Sequence, residues 1–221
     1  MKSVSCVIFD MDGVIVNTEP LHKKAYYQTF DTLEIDVPEE VYNSLTGAST
    51  VNAFQKVKNL YGLSNGVDDM VLQKRAFFAD LFQTDPDLAL LDGVLDLIQY
   101  FHRSGRTLVL ASSASMPNIN RVFKRFDLDQ YFLGKVSGAD LTSSKPHPEI
   151  FLKAAEMANT PTDQCIVIED SDNGIQAANS ASIYSIGYKS EHSQMQTLEY
   201  AKLVIEKFSD LKERFDHSLP L

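Results

Sequence analysis

The chain has 221 residues, 44% of them apolar and 23% charged, which is enough to bury a sizeable core in one or two domains and is ordinary for a globular protein. Thirty acidic against 20 basic residues give a net charge of −10 with no dense Lys/Arg stripe, which argues against nucleic acid and anionic membrane as partners. No apolar run approaches the roughly 20 residues that span a bilayer, and the first residues read as a strand rather than a cleavable leader, so the expectation is a cytoplasmic protein, with a monomer favoured.

Three short apolar runs that end at polar residues predict buried strands at Ser5–Phe9, Thr107–Ala111 and Cys165–Ile168. Weaker candidates are Gly134–Ser137, Tyr184–Ile186 and Leu203–Ile205. Cys6 and Cys165 lie inside two of the strong runs and read as small buried hydrophobes in a reducing compartment. Helical faces are predicted by Val94, Leu95, Leu97, Ile98 and Phe101, by Ile119, Val122, Phe123 and Phe126, and by Ile150, Phe151, Ala154, Ala155 and Ala158. Gly105 stops the first of these, and Pro148 opens the third at a permitted first-turn position. Strand alternating with helix predicts an α/β fold, a parallel sheet covered on both sides.

One region breaks the alternation. From about Pro20 to Thr84 the patterning is purely helical, over Leu21–Phe30, Pro38–Leu45, Val51–Tyr61 and Val67–Phe82. Helices placed directly after the first strand predict an inserted all-α domain, 17–87, in a core made of 1–16 and 88–221.

The segment Val7-Ile8-Phe9-Asp10-Met11-Asp12-Gly13-Val14 puts two carboxylates at the end of an apolar strand, followed by a glycine that lets the chain turn. Ligands of parallel sheets bind beyond the carboxyl ends of the strands, so both aspartates face a site. Three further polar clusters follow strands or precede helices: Ser112-Ser113-Ala114-Ser115, Ser143-Ser144-Lys145-Pro146 and Glu169-Asp170-Ser171-Asp172-Asn173-Gly174. Taken singly, each is a helix cap, a solvated charge or an acidic loop. Taken together they form a phosphoryl-transfer set. A phosphate monoester dianion repels an attacking carboxylate, so a divalent cation must bridge the two. Mg²⁺ suits hard oxygen ligands, for which Asp10 and Asp170 are candidates directly and Glu169 through water. Lys145, the Ser112 hydroxyl and nearby backbone N–H groups hold the transferring oxygens. Asp10 attacks in line, and Asp12 protonates the leaving oxygen and then activates water.

These residues resemble the haloacid dehalogenase superfamily over essentially the whole chain. Asp10-Met11-Asp12-Gly13, Ser112, Lys145-Pro146 and Glu169-Asp170-Ser171 are similar to its four motifs in order. The resemblance implies a doubly wound, Rossmann-like core with a small helical cap, as in the subgroup containing β-phosphoglucomutase and phosphoglycolate phosphatase. It implies Asp10 as nucleophile, Asp12 as acid/base with its carbonyl on the metal, and Asp170 as a magnesium ligand. Within it Ser113, His22, Thr46 and Thr50 are the expected substrate-binding residues. His22 matches a histidine of the mutase cap, where it contacts substrate or Asp12; as a lone histidine on a helix it equally reads as a surface residue.

Two departures bear on the reaction. Thr50 stands where the mutase cap carries a phosphate-gripping arginine, and Ser115 where its second-motif loop carries a lysine. A hydroxyl does not replace a bidentate guanidinium. The expectation is therefore a phosphatase acting on a small phosphate ester, a sugar or polyol phosphate, ahead of a phosphosugar mutase. A phospho-acceptor signalling module is a third reading, opposed by Asp12. Lys74 and Arg75, which could meet an anionic substrate tail, read as a solvated helix face.

Overall fold

The computed structural model describes residues 4–45, 50–86, 88–190 and 196–216. The chain divides into two compact units, Met1–Asn17 with Ala89–Leu221 and Thr18–Leu88.

The first unit is built on β1 (Cys6–Phe9), β2 (Thr107–Ser112), β3 (Gly134–Ser137), β4 (Cys165–Glu169), β5 (Tyr184–Tyr188) and β6 (Leu203–Ile205). They form one six-stranded sheet of order β3-β2-β1-β4-β5-β6, and every pairing is parallel. All six strands expected from the sequence are present. All four β1 residues are fully buried, because a central parallel strand is covered on both faces and needs a continuous apolar run. Alternation then divides them. Cys6 and Ile8 join Cys165, Val167, Val109 and Ala111 under α7 (Glu149–Met157) and α8 (Asp172–Ser180). Phe9, pointing to the other face, meets Phe101 and Phe132 edge to face. That face is covered by α5 (Val94–Arg103), α6 (Met116–Arg125) and α9 (Phe208–Asp216). Gly105, at positive φ, ends α5 as the sequence predicts.

After β1 the chain makes a tight turn. Gly13 N donates to Val16 O at 2.8 Å, and Leu91 N donates to Ile15 O at 2.9 Å, so the outgoing and returning connections run beside each other.

The second unit contains α1 (Glu19–Thr32), α2 (Glu39–Asn43), α3 (Thr50–Tyr61) and α4 (Val67–Thr84). Tyr26, Phe30, Tyr42, Phe54, Met70 and Val71 belong to its own apolar cluster. Phe54 is fully buried, with its ring 5.3 Å from Tyr26 and 6.3 Å from Phe30.

Phe54→Ala removes the centre of that cluster and is expected to destabilise it by about 3–5 kcal/mol. Urea denaturation followed by far-UV circular dichroism should then show helical signal lost at lower urea than in the parent protein. An unshifted transition would show that the helical unit does not depend on this cluster.

Candidate active site

β1 leads to β2 and β3 on one side of the sheet, and β4 leads to β5 and β6 on the other. Connections leaving the carboxyl ends of β1 and β4 therefore diverge, which opens the crevice where parallel sheets bind ligands. Asp10 follows β1 directly, while Glu169 ends β4 and Asp170 follows it. Asp10 N donates to Ile168 O at 3.0 Å, tying the two strand ends together. One oxygen from each of Asp10, Glu169 and Asp170 lies within 4.8 Å of the others.

Lys145 enters this cluster from the segment before α7. Its Nζ donates to Asp10 Oδ1 at 2.5 Å and to Glu169 Oε2 at 2.7 Å, and to the Ala111 carbonyl at 3.4 Å. The side chains of Lys145 and Asp10 are each only 7% exposed. Burial alone would lower the ammonium's pKa; the Asp10 and Glu169 carboxylates outweigh it and hold Lys145 cationic, above its ordinary value. The other oxygen of Glu169 accepts from Asp170 N, Ser171 N and Ser171 Oγ, at 3.2, 3.1 and 2.8 Å. Ser171 in turn caps α8 by accepting from Gly174 N.

One lysine does not neutralise three carboxylates. Burial, then the charges of Glu169 and Asp170, push Asp10 well above the usual carboxylate range, with Lys145 opposing. Burial and Glu169, with a smaller push from Asp12, raise Asp170 from 3.8 to about 8 against Lys145. Such a buried, under-compensated set of hard oxygen donors fits a divalent cation. Asp12 sits at the turn that Gly13 makes possible. Gly13 has φ +79°, and a Cβ there would collide with the Asp170 carboxylate, so glycine is required twice over.

The Ser112 loop is pinned at the same sheet end. Ser112 is buried and its Oγ accepts from Ala114 N at 3.1 Å, while Ser137 Oγ donates to Ala114 O at 2.9 Å. Gly138 allows β3 to pass close to this loop, since a Cβ there would lie 3.1 Å from Ser113 Cα. Ser113 itself is exposed.

Asp10, Lys145, Glu169 and Asp170 are thus in one cluster, with Asp12, Ser112 and Ser113 at its margin. His22 and Thr50 belong to the helical unit, and Thr46 lies outside the described residues. Thr50 opens α3 and is hydrogen-bonded to the Tyr26 hydroxyl. The solvated helix face expected for Lys74 is not found. Lys74 is 3% exposed, because it lies on the α4 stripe Met70, Val71, Lys74, Phe78 and Phe82 that packs inward. Its Nζ lies 2.6 Å from His22 Nδ1, and His22 stacks on Phe78 at 4.2 Å. The four-residue spacing from Met70 to Lys74 to Phe78 was the available signal. Arg75 is exposed, as expected.

Residues 7–188 match the family model described as haloacid dehalogenase-like hydrolase. The chain belongs to that family. A phosphorylated carbohydrates phosphatase from Thermotoga maritima is 28% identical, covering 83% of this chain and 84% of its own length. A β-phosphoglucomutase from Bacillus subtilis is 27% identical, covering 94% and 92%. The crystal structure of a CbbY protein from Rhodobacter sphaeroides in complex with xylulose-(1,5)bisphosphate superposes with a TM-score of 0.79 at 25% identity, covering 94% of this chain and 96% of the other. The fold and the enzyme family read from the sequence are those found.

Stability should carry the signature of the crowded carboxylates. Asp170 in the folded, metal-free protein keeps a proton to about pH 8 that the unfolded chain releases near 3.8. The folded state binds more protons across that window, so stability falls as pH rises through it. We expect Asp170→Asn to raise the metal-free melting temperature at pH 8 by a few degrees. A lower melting temperature in that variant would contradict the repulsion.

Proposed function

We propose that this chain is a Mg²⁺-dependent phosphatase that hydrolyses a small phosphorylated sugar or polyol through an aspartyl phosphate on Asp10. The observation that carries the reading is the Asp10 carboxylate at the end of β1, ion-paired to buried Lys145 and flanked by Asp170. The phosphatase and mutase relatives support the substrate class.

Asp10, Asp170 and the Asp12 carbonyl would hold Mg²⁺, with Glu169 reaching it through water. The cation supplies charge neutralisation between the nucleophile and the phosphoryl oxygens. Asp10 Oδ2 is the oxygen left for attack, because Oδ1 is engaged by Lys145. As the Oδ–P bond forms, the bond to the leaving alkoxide breaks, and Asp12 gives that oxygen its proton. Water then attacks the aspartyl phosphorus and returns a proton to Asp12, freeing inorganic phosphate and Asp10. Lys145, the Ser112 hydroxyl and nearby backbone N–H groups stabilise the equatorial oxygens throughout.

Ser113 and the helical unit, with His22, Thr46 and Thr50, supply substrate contacts in this proposal. The unit takes the part of a cap, 17–87 inserted in the core 1–16 and 88–221. Water is preferred over a second sugar hydroxyl as acceptor because Thr50 and Ser115 carry no charge to grip a second phosphate.

Asp10→Asn keeps the shape and removes the nucleophile, so Mg²⁺-dependent phosphate release from an aryl phosphate should fall by at least about a thousandfold, with an unchanged circular dichroism spectrum. Retention of parental activity would overturn the assignment. A screen of sugar and polyol phosphates, with and without Mg²⁺, should give inorganic phosphate; isomerised aldose phosphate instead would make the enzyme a mutase.

A further inference from the structure

Cys6 and Cys165 are both free thiols and neither takes part in the chemistry above. They are register partners on the adjacent central strands β1 and β4, and both side chains lie in the apolar cluster on the same sheet face. Neighbouring strands run about 4.7–4.9 Å apart, inside the Cα window of about 4.4–6.8 Å that a disulfide accepts. Cys6 is fully enclosed, but Cys165 lines a cavity of about 350 Å³ at the amino ends of β4 and β5, together with Asp163, Asn179, Ser182, Tyr184 and Lys202. The pair lies at the end of the sheet opposite Asp10 and Glu169, four residues back along each strand.

We infer that Cys6 and Cys165 are a peroxide-oxidisable thiol pair that closes reversibly to a disulfide between β1 and β4, with Cys165 oxidised first and Cys6 resolving. The order follows position, since Cys165, although only 2% exposed, is a lining residue of the cavity and Cys6 is not. The hydrogen bond between the two thiols acts in the same sense, favouring ionisation of Cys165 and disfavouring that of Cys6. At rest the Cys165 S–H donates to the Pro161 carbonyl at 3.3 Å, which holds the proton and makes the first step slow. The Cys165 thiolate attacks one peroxide oxygen; the O–O bond breaks and hydroxide leaves, taking up a proton as water. The Cys6 sulfur then attacks the Cys165 sulfenic acid, losing its proton as the S–O bond breaks and a second water leaves. Two thiols are oxidised and one hydrogen peroxide is reduced to two waters.

The bond so formed is labile by construction. In-register strands hold Cβ atoms near the strand spacing, wider than the about 3.5–4.5 Å of a relaxed disulfide. Closure must draw β1 toward β4, and a strained bond is the readily reduced kind that serves regulation. The strands being drawn together are those that carry Asp10, Glu169 and Asp170, so the oxidised form should be the less active one.

The test treats the full-length protein with hydrogen peroxide, blocks remaining thiols under denaturing conditions, and analyses unreduced tryptic peptides by mass. Residues 3–23 and 154–189 should appear joined, two hydrogens lighter than their sum, and should separate with dithiothreitol. In Cys6→Ala the reaction should stop at a dimedone-reactive sulfenic acid on Cys165. Two blocked thiols after peroxide, a link only between different molecules, or oxidation of Cys165 beside an untouched Cys6 in the parent protein would each overturn the pair. These mass readouts do not depend on the reaction proposed for the site. Activity toward an aryl phosphate should fall about tenfold on full closure and return on reduction, ångström-scale misplacement of reacting groups being worth up to about 100-fold. Unchanged activity in the fully linked protein would overturn its regulatory consequence.

Discussion

The Lys145 ammonium, held by Asp10 on one side and Glu169 on the other, is the contact on which the site depends. It spans the gap between β1 and β4 where their connections part, and it also reaches the Ala111 carbonyl at the end of β2. Three neighbouring central strands are thereby tied at one point. Removing one member of a buried, hydrogen-bonded ion pair leaves the other charge uncompensated, at a cost of about 3–5 kcal/mol. Each neutral hydrogen bond around it is worth only about 1 kcal/mol. Lys145 therefore serves shape and chemistry together, and its loss would not separate them. An isosteric change at Asp10 does, because the amide keeps the volume and one hydrogen-bonding oxygen.

The support for that contact is itself layered. Lys145 is positioned by Glu169, whose second oxygen is fixed by Ser171, and Ser171 starts α8 by capping Gly174 N. Gly174 belongs to the same arrangement: a Cβ there would collide with the Glu169 carboxylate, as a Cβ on Gly13 would collide with that of Asp170. Two glycines thus make room for two carboxylates that the sheet brings together. In the sequence both look like ordinary turn or helix-start residues. Their chemical meaning comes from approach, and approach is a tertiary quantity.

That difference explains which features could be read beforehand. The strand ends were legible because a buried parallel strand must be apolar throughout and its polar successor marks where water returns; Phe9 to Asp10 and Val167 through Glu169 show this directly. The ordered polar clusters were legible because strand ends share one side of a parallel sheet. The division of labour within the clusters was not. Nothing local says that one oxygen of Glu169 meets Lys145 while the other holds a helix cap. Lys74 was misread for the complementary reason: charge suggested water, whereas the spacing Met70, Lys74, Phe78 placed it on the buried stripe of α4. Periodicity was the better guide there, because a long aliphatic stem packs inward as readily as an apolar side chain.

The two buried lysines show what burial does and does not decide. Burial disfavours the charged form of both. Lys145 has two carboxylates within hydrogen-bond reach, which reverse the effect and keep the proton firmly in place. Lys74 has a neutral partner: its neighbour His22, lowered to about 3 by burial and by Lys74 itself, accepts as an uncharged imidazole. The rings of Tyr26 and Phe78, 4.8 and 5.3 Å from Lys74 Nζ, add only their quadrupoles. Burial therefore wins at Lys74, and its pKa falls to about 8 even with Glu19 opposing. A fixed cation needs a paired anion; an ammonium surrounded by rings and imidazole responds to whatever charge comes near it. Lys145 gives the strand ends one fixed cation inside a chain whose net charge is −10, but the three carboxylates around it leave the cluster negative, so the local reversal of sign that a phosphate site requires would have to be completed by a bound divalent cation.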